Sequence, residues 1–263
     1  MQETSALYRQ ILADPNHWFE TSVVVGDSGV LITERGNTIL FGDTAIIVSR
    51  SGPDSGYMEN KIFSVRTSIQ MFQEDPTIGR AVAQEIELKL LSPSGYIPEM
   101  GLIVPYVRIC NTESQSEWIQ QGVFYIDTRE ISKNHSSFST MTLHGYDAML
   151  MTEQDWTDSG RLDWSSGFVS DTAMVQEIAD IIGINVDART WDIMDGDYLI
   201  PLPTGYSLRE LLGYIAASYA GCFIITDVGE LRLVSILELP PDSSLLIDNI
   251  GDYITFGGDR IKV

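Results

Sequence analysis

Cations are scarce in this chain. Its 263 residues carry 16 Lys and Arg against 37 Asp and Glu, a formal net charge of −21. A protein so poor in positive charge is unsuited to gripping nucleic acid through its phosphates, because it has little with which to replace condensed counterions. The same balance argues against binding to anionic membrane surfaces. The plain consequence is solubility; a sharper one is a surface that lets DNA pass without holding it, and composition does not separate the two. Cysteine is nearly absent. Cys110 and Cys222 lie far apart within strand-like segments and are simplest as small apolar core residues in a reducing compartment. With only His17, His135 and His144 beside them, no zinc cluster can be assembled. No apolar run approaches the ~20 residues that cross a bilayer. The stretch MQETSALYRQILADPNHWFE has neither the basic region nor the apolar core of a signal peptide, so the expectation is a protein that stays in the cytoplasm where it is made.

Catalytic signatures are missing too. There is no H-E-x-x-H, no P-loop, no G-x-G-x-x-G and no G-x-S-x-G elbow. The densest acidic group, Asp187, Asp192, Asp195 and Asp197, lacks the alternation and closing Glu of a calcium loop and reads as a solvated loop, as do Asp155 and Asp158. His144 beside Asp147 suggests a base oriented by an acid, yet the nearby nucleophiles are ordinary Ser and Thr. A strand-end histidine and a helix N-cap explain both residues. No catalytic, cofactor or metal site is therefore expected, and the chain is read as a non-enzyme. Trp118, Trp156, Trp164 and Trp191 suit stacking on sugar rings or bases, but their spacing follows no pattern. Without a basic groove single-stranded nucleic acid is a poor fit; sugar binding stays open beside core lids and interface anchors.

What is present is ordinary globular composition, 44% hydrophobic and 20% charged, at a length that allows two domains. Ser5–Ala13 predicts a short helix ended by Asp14-Pro15. From Ser22 to Val48, short strands alternate with glycine turns, a meander of hairpins. Ser51–Asn60 reads as a surface loop, and Ile62–Phe72 as a strand broken by Glu74–Thr77. Gln84–Leu91 alternates strictly: Ile86, Leu88 and Leu90 on one face, Glu85, Glu87 and Lys89 on the other, so one face is buried and one is wet or turned to a partner. Val104–Cys110, Val123–Ile131 and Phe138–His144 add strands, enough to close a small barrel or sandwich. Asp147 stands at a helix N-cap. The polar run after Tyr146 marks a boundary. Asp171–Ile182 carries one apolar stripe and ends at Gly183, where a left-handed glycine belongs. Ser207–Ala220 opens with a Ser207/Glu210 capping box and ends at Gly221. Cys222–Thr226 and Leu231–Ile236 predict a hairpin, Pro240-Pro241 a junction, Leu245–Val263 two more strands, and Gly257-Gly258 a turn or bulge.

Several segments resemble, in order, the hub proteins of phage baseplates and tail tips, most closely the prophage-type hubs of Gram-positive bacteria. They are IGRAVAQEIELKLL, VPYVRI, SEW, GVFYIDTRE, LHGYDAML and SLRELLGYIAASYAGCFIITDVGELRLV. The resemblance runs from about Ile39 to the C-terminus. It implies an α+β, mostly β fold: an antiparallel barrel like a tail-tube module over 21–150, a small α+β domain over 151–240, and the start of a further β segment over 241–263, after an N-terminal helical arm over 1–20. Such hubs usually continue through a second barrel, so a truncated chain, or the ordered part of a longer one, is expected.

The resemblance further implies a virion structural protein, a homotrimeric ring joining the tail tube to the tip or spike, in an infective phage, a defective prophage or a contractile injection system. Glu85, Glu87, Lys89 and Trp118 are the candidate interface residues, with the segments Ser51–Asn60 and Asn111–Gln121 as candidate patches. The alternatives are a carbohydrate-binding β-module for host attachment and the non-catalytic part of a wall-degrading tail enzyme.

Overall fold

In the structure, a computed structural model, residues 4–26, 40–41, 44–45, 53–58, 60–69, 78–91, 97, 101–133, 139–235, 255–256 and 259–260 are described. The glycine turns at 27–37, the break at Glu74–Thr77, the loop 134–138 and the Pro240-Pro241 junction lie outside them.

Helix α1 (Ala6–Leu12) forms as expected, with Ser5 Oγ accepting from the Tyr8 N–H. Ser5 also donates its N–H and hydroxyl to Glu117 at 2.8 and 2.6 Å, tying the helix to a distant segment. Along the chain follow β1 (Trp18–Gly26), β2 (Leu40–Phe41), β3 (Thr44–Ala45), β4 (Tyr57–Met58) and β5 (Ile62–Ile69). Next come β6 (Arg80–Ala81), β7 (Gln84–Leu91), β8 (Leu102–Cys110), β9 (Ile119–Gln120), β10 (Phe124–Lys133) and β11 (Ser139–Tyr146). β2 and β3, part of the expected meander, pair antiparallel through Leu40 with Ala45 and Phe41 with Thr44.

The main sheet runs β4-β1-β8-β10-β11-β7-β5, with β9 beside β8, and its pairings are antiparallel. Among the described residues the path stays open, with β4 and β5 at its edges, so a closed barrel is not seen. Its buried face is what the alternation in β7 demands. Ile86, Leu88 and Leu90 are at most 2% exposed and join Val23, Ile103, Phe124 and Leu143 in one apolar cluster. Each such side chain contributes about 1.5–3 kcal/mol on leaving water.

A second apolar cluster is built by the later elements. These are β12 (Phe168–Ser170), α2 (Asp171–Ile182), β13 (Leu199–Pro201), α3 (Leu208–Ser218), β14 (Gly221–Ile225) and β15 (Leu231–Ser235). β16 (Thr255–Phe256) and β17 (Asp259–Arg260) pair antiparallel, while Gly257-Gly258, expected as a turn or bulge, lies outside the described residues. Ser170 caps α2 and Gly183 ends it at φ 74°. The capping box of α3 has both its bonds: Glu210 N–H to Ser207 Oγ at 3.2 Å, and Ser207 N–H to the Glu210 carboxylate at 2.8 Å.

The end of α3 differs from expectation. The left-handed residue is Ala220, at φ 48°, and Gly221 already belongs to β14. Glycine is needed at 221 because a Cβ there would lie 2.6 Å from the Val234 carbonyl oxygen. The earlier chain reaches this cluster too. Arg80 and Ala81 pair in parallel with Cys222 and Phe223, and Gly79 crosses α3 at Gly213, where a Cβ would come within 2.9 Å of the Gly79 carbonyl oxygen.

Asp147 ties the main sheet to the second cluster. Its N–H donates to Gln84 O at 3.0 Å, and its carboxylate accepts from Gln84 N–H at 2.9 Å and Met149 N–H at 3.0 Å. The helix it caps, as expected, is Ala148–Glu153, of the 3-10 type, and it buries Met149 in the second cluster.

Candidate functional site

The outer face of β7 presents Glu85 and Glu87 exposed and Lys89 half-buried. The register sets Glu87 opposite Arg66 of β5 and His144 of β11, so a row of polar side chains crosses three strands. The His144 Nδ1 lies 4.0 Å from the Glu87 carboxylate. Lys89 rests its ammonium 5.0 Å from the ring centre of the exposed Phe63. This face is polar and open to solvent, in contrast to the apolar face behind it.

Trp118 is half-buried and already engaged within the chain. Its indole N–H donates to Asp54 at 3.0 Å, and the Arg108 guanidinium stacks 4.3 Å from its ring centre. Arg108 also donates from Nε and Nη2 to Glu20 at 2.8 and 2.6 Å, and these bonds hold the Glu20 carboxyl below its ordinary range. The turn 53–55 is anchored as well, since Ser22 Oγ donates to the Pro53 carbonyl oxygen. Residues 53–58 of the first candidate segment and Asn111–Gln121 therefore meet in one patch. A cyclic ring needs two separate patches. On the main sheet the Trp118 patch, beside β8 and β9, is separated from β7 by β10 and β11.

The other sequence-level candidates resolve into structural roles. His144 and Asp147 do not form a dyad: the histidine faces Glu87, and both carboxylate oxygens of Asp147 are taken by backbone N–H groups. Burial pushes the Asp147 carboxyl up to about 6, against the pull of those two bonds. In the acidic loop, Asp187 is bonded by Arg189, which lowers its carboxyl, and Asp195 lies 3.1 Å from the Tyr219 hydroxyl, which donates to Asp171. Among the described residues no group of three His, Cys, Asp or Glu is placed to hold a metal ion. Trp156 and Trp164 stack edge-to-face at 5.8 Å and pack against the second cluster. Cys110 and Cys222 are buried and are not joined in a disulfide.

One concavity is invisible in the sequence. Between α3 and the segment 198–206 lies a cavity of about 460 Å³. Tyr198, Tyr206 and Tyr214 line it with Leu199 and Leu202, and Asp171 stands at its wall. Tyr206 and Tyr214 meet edge-to-face at 5.7 Å; Tyr198 meets Tyr219 at 5.1 Å. The available signal was Tyr214, an aromatic on the outward side of an amphipathic helix.

No family model and no curated protein matches the chain. Solved structures of similar shape are found. The 43 kDa tail protein of prophage MuSo2 from Shewanella oneidensis is 15% identical at a TM-score of 0.48, over 87% of this chain and 59% of that one. A tail protein from Neisseria meningitidis MC58 is 12% identical at 0.47, over 85% and 53%. The Francisella PdpA-VgrG complex is 7% identical at 0.42, over 89% and 35%. The chain thus spans between about a third and three fifths of the length of these structures.

Proposed function

We propose that this chain is a structural, non-catalytic component of a phage or phage-like tail, the hub that joins the tail tube to the tip or spike. The observation that carries the reading is where the family-like segments fall. IGRAVAQEIELKLL makes β6 and β7, VPYVRI lies in β8, GVFYIDTRE in β10, LHGYDAML in β11 and the Asp147 turn, and the longest segment makes α3, β14 and β15. These elements contribute to both apolar clusters, alongside α2 and β1, which lie outside the quoted segments.

In this proposal the main sheet belongs to a tail-tube-like barrel over 21–150. An α+β module fills 151–240, a second β domain starts at 241–263, and residues 1–20 form an arm. Three copies form a ring, of the kind that prophages of Gram-positive bacteria carry. Glu85, Glu87 and Lys89 form one side of each contact and the Trp118 patch the other. The separation of these two patches on the sheet supports a head-to-tail contact. The net charge of −21 supports a channel that does not hold DNA.

Immunogold labelling of the particles with an antibody to this chain tests the placement. Gold at the junction of tube and tip is expected. Gold spread along the tube or on fibres, or particles without label, would contradict it.

A further inference from the structure

We propose, independently of the tail reading, that the segment Ser5–His17 is a releasable strap, fastened to the segment Asn111–Glu117 by the carboxylates of Glu117 and Asp14, and able to open while the rest of the chain stays folded.

The fastening is at the two ends of the strap. Before α1, Glu117 accepts the Ser5 N–H at 2.8 Å and the Ser5 hydroxyl at 2.6 Å. After α1, Asp14 accepts from the Asn111 side-chain amide at 2.9 Å. Between these latches α1 packs on β8 through a single buried side chain, Ile11, at 1% exposure, while Leu7 and Leu12 stay exposed. The strand that follows is held quite differently. β1 pairs with β8 from Trp18 to Gly26, so movement of the strap ends at Trp18.

Such a strap is weakly held. A helix of seven residues does not sustain itself in water, so the order of α1 comes from its docking. The docking rests on Ile11 and on hydrogen bonds at exposed positions, where water competes for every partner. Segments with few buried contacts open locally, at a fraction of the free energy that unfolds the core. The turn Asp14-Pro15-Asn16 is the natural pivot, closed by the Asn16 N–H on the Asp14 carboxylate at 2.9 Å. Opening adds Ile11 to Leu7 and Leu12 as exposed apolar side chains and bares the seat of the helix on β8.

Both latches need an ionised carboxylate. Each Glu117 oxygen faces a donor, and a proton on either would set donor against donor. The Ser5 bonds hold the Glu117 carboxyl below its ordinary range; the Asn16 N–H does the same for Asp14, followed by Asn111, with His17 adding its charge. A carboxyl lowered by folding contributes stability that is complete above the ordinary range near pH 4 and is lost as the pH falls through the lowered value. The other charged groups on these elements are engaged or point away from the latches. Arg9 donates to the Thr4 carbonyl oxygen at 3.3 Å, Arg108 is bonded to Glu20, and Glu113 is exposed. Asp147 has the opposite sign, being raised by burial, so acid loosens the strap without loosening the joint between the main sheet and the second cluster.

Limited digestion of the full chain with trypsin tests the strap. Arg9 lies inside α1 and is cut when the strap opens; Arg232 lies in β15 and is cut when the second cluster unfolds. Wild type should release the peptide ending at Arg9 well before any cut after Arg232. Glu117→Gln and Asp14→Asn should each speed the first cut about threefold or more, as loss of a hydrogen bond does to an opening equilibrium, and leave the second unchanged. Glu113→Gln, on the same segment, should change neither. Amide exchange in α1, corrected for its intrinsic rate, should rise from pH 6 to 3.5 in wild type and stay flat in the double variant Glu117→Gln, Asp14→Asn. Simultaneous cuts after Arg9 and Arg232, latch variants with an unchanged first cut, or an acid response that persists in the double variant would overturn the proposal. Faster cutting after Arg232 in the latch variants would show that the strap does not open separately, and would overturn it as well.

Discussion

Replacing Gly213 with alanine sets two effects against each other, and the structure decides the sign. Gly213 lies in the middle of α3, where helix propensity alone favours alanine by about 1 kcal/mol. Packing opposes it. The new Cβ would stand 2.9 Å from the Gly79 carbonyl oxygen, where ordinary contact begins at 3.4 Å, so the neighbour has to give by about half an ångström. That neighbour is backbone and cannot swing aside. It is also fixed from behind, since Gly79 N–H donates to Gly221 O at 2.8 Å and the next two residues pair with β14. Overpacking of this kind costs about 1–3 kcal/mol. The net expectation for Gly213→Ala is a loss of about 1 kcal/mol, read as a lower urea midpoint at unchanged slope. A gain of about 1 kcal/mol would show that propensity acts alone and that residue 79 does not cross α3, which would refute the packing of β6 on the second cluster.

Three further outcomes follow from the same structure. Ser207→Ala removes the cap of α3 and should lower stability by about 1 kcal/mol in a denaturant titration; no change would mean the capping bonds do not form in solution. The Asp147 carboxyl, raised by burial from 3.8 to about 6, contributes stability that is complete below about pH 4 and is lost as the pH climbs through about 6. Wild type should therefore lose about 1–3 kcal/mol relative to Asp147→Asn between pH 4 and 7, and a flat difference would mean that the carboxyl is not buried. Purified protein should clear no peptidoglycan in a zymogram; a cleared band that vanishes in His144→Ala would overturn the non-catalytic reading.

The parts of the fold that were legible in the sequence are those set by neighbours along the chain. The alternation from Glu85 to Leu90 and the Ser207/Glu210 box are local patterns with one physical meaning, and the structure keeps both. What depends on distant contacts was not legible. Ser51–Asn60 reads as a loop because the contacts that hold Pro53 and Asp54 come from Ser22 and Trp118, far away in sequence. The two-residue strand β6 has no periodicity to read, yet it joins the earlier chain to β14. Gly221 reads as a helix stop, although the requirement there is room for the Val234 carbonyl rather than a left-handed turn. For the candidate interface, sequence placed Glu85, Glu87 and Lys89 on an outward face but could not see that Trp118 is held by Arg108 and Asp54. The tyrosine groove escaped because its residues come from separate elements.

The central claim, a hub built as a ring, is tested most directly by the mass of the complex that the full-length protein forms with its tube partner. Light scattering, with electron micrographs of the same sample, should give three copies of the chain in a ring. A stable monomer with no ring in the images would contradict the account.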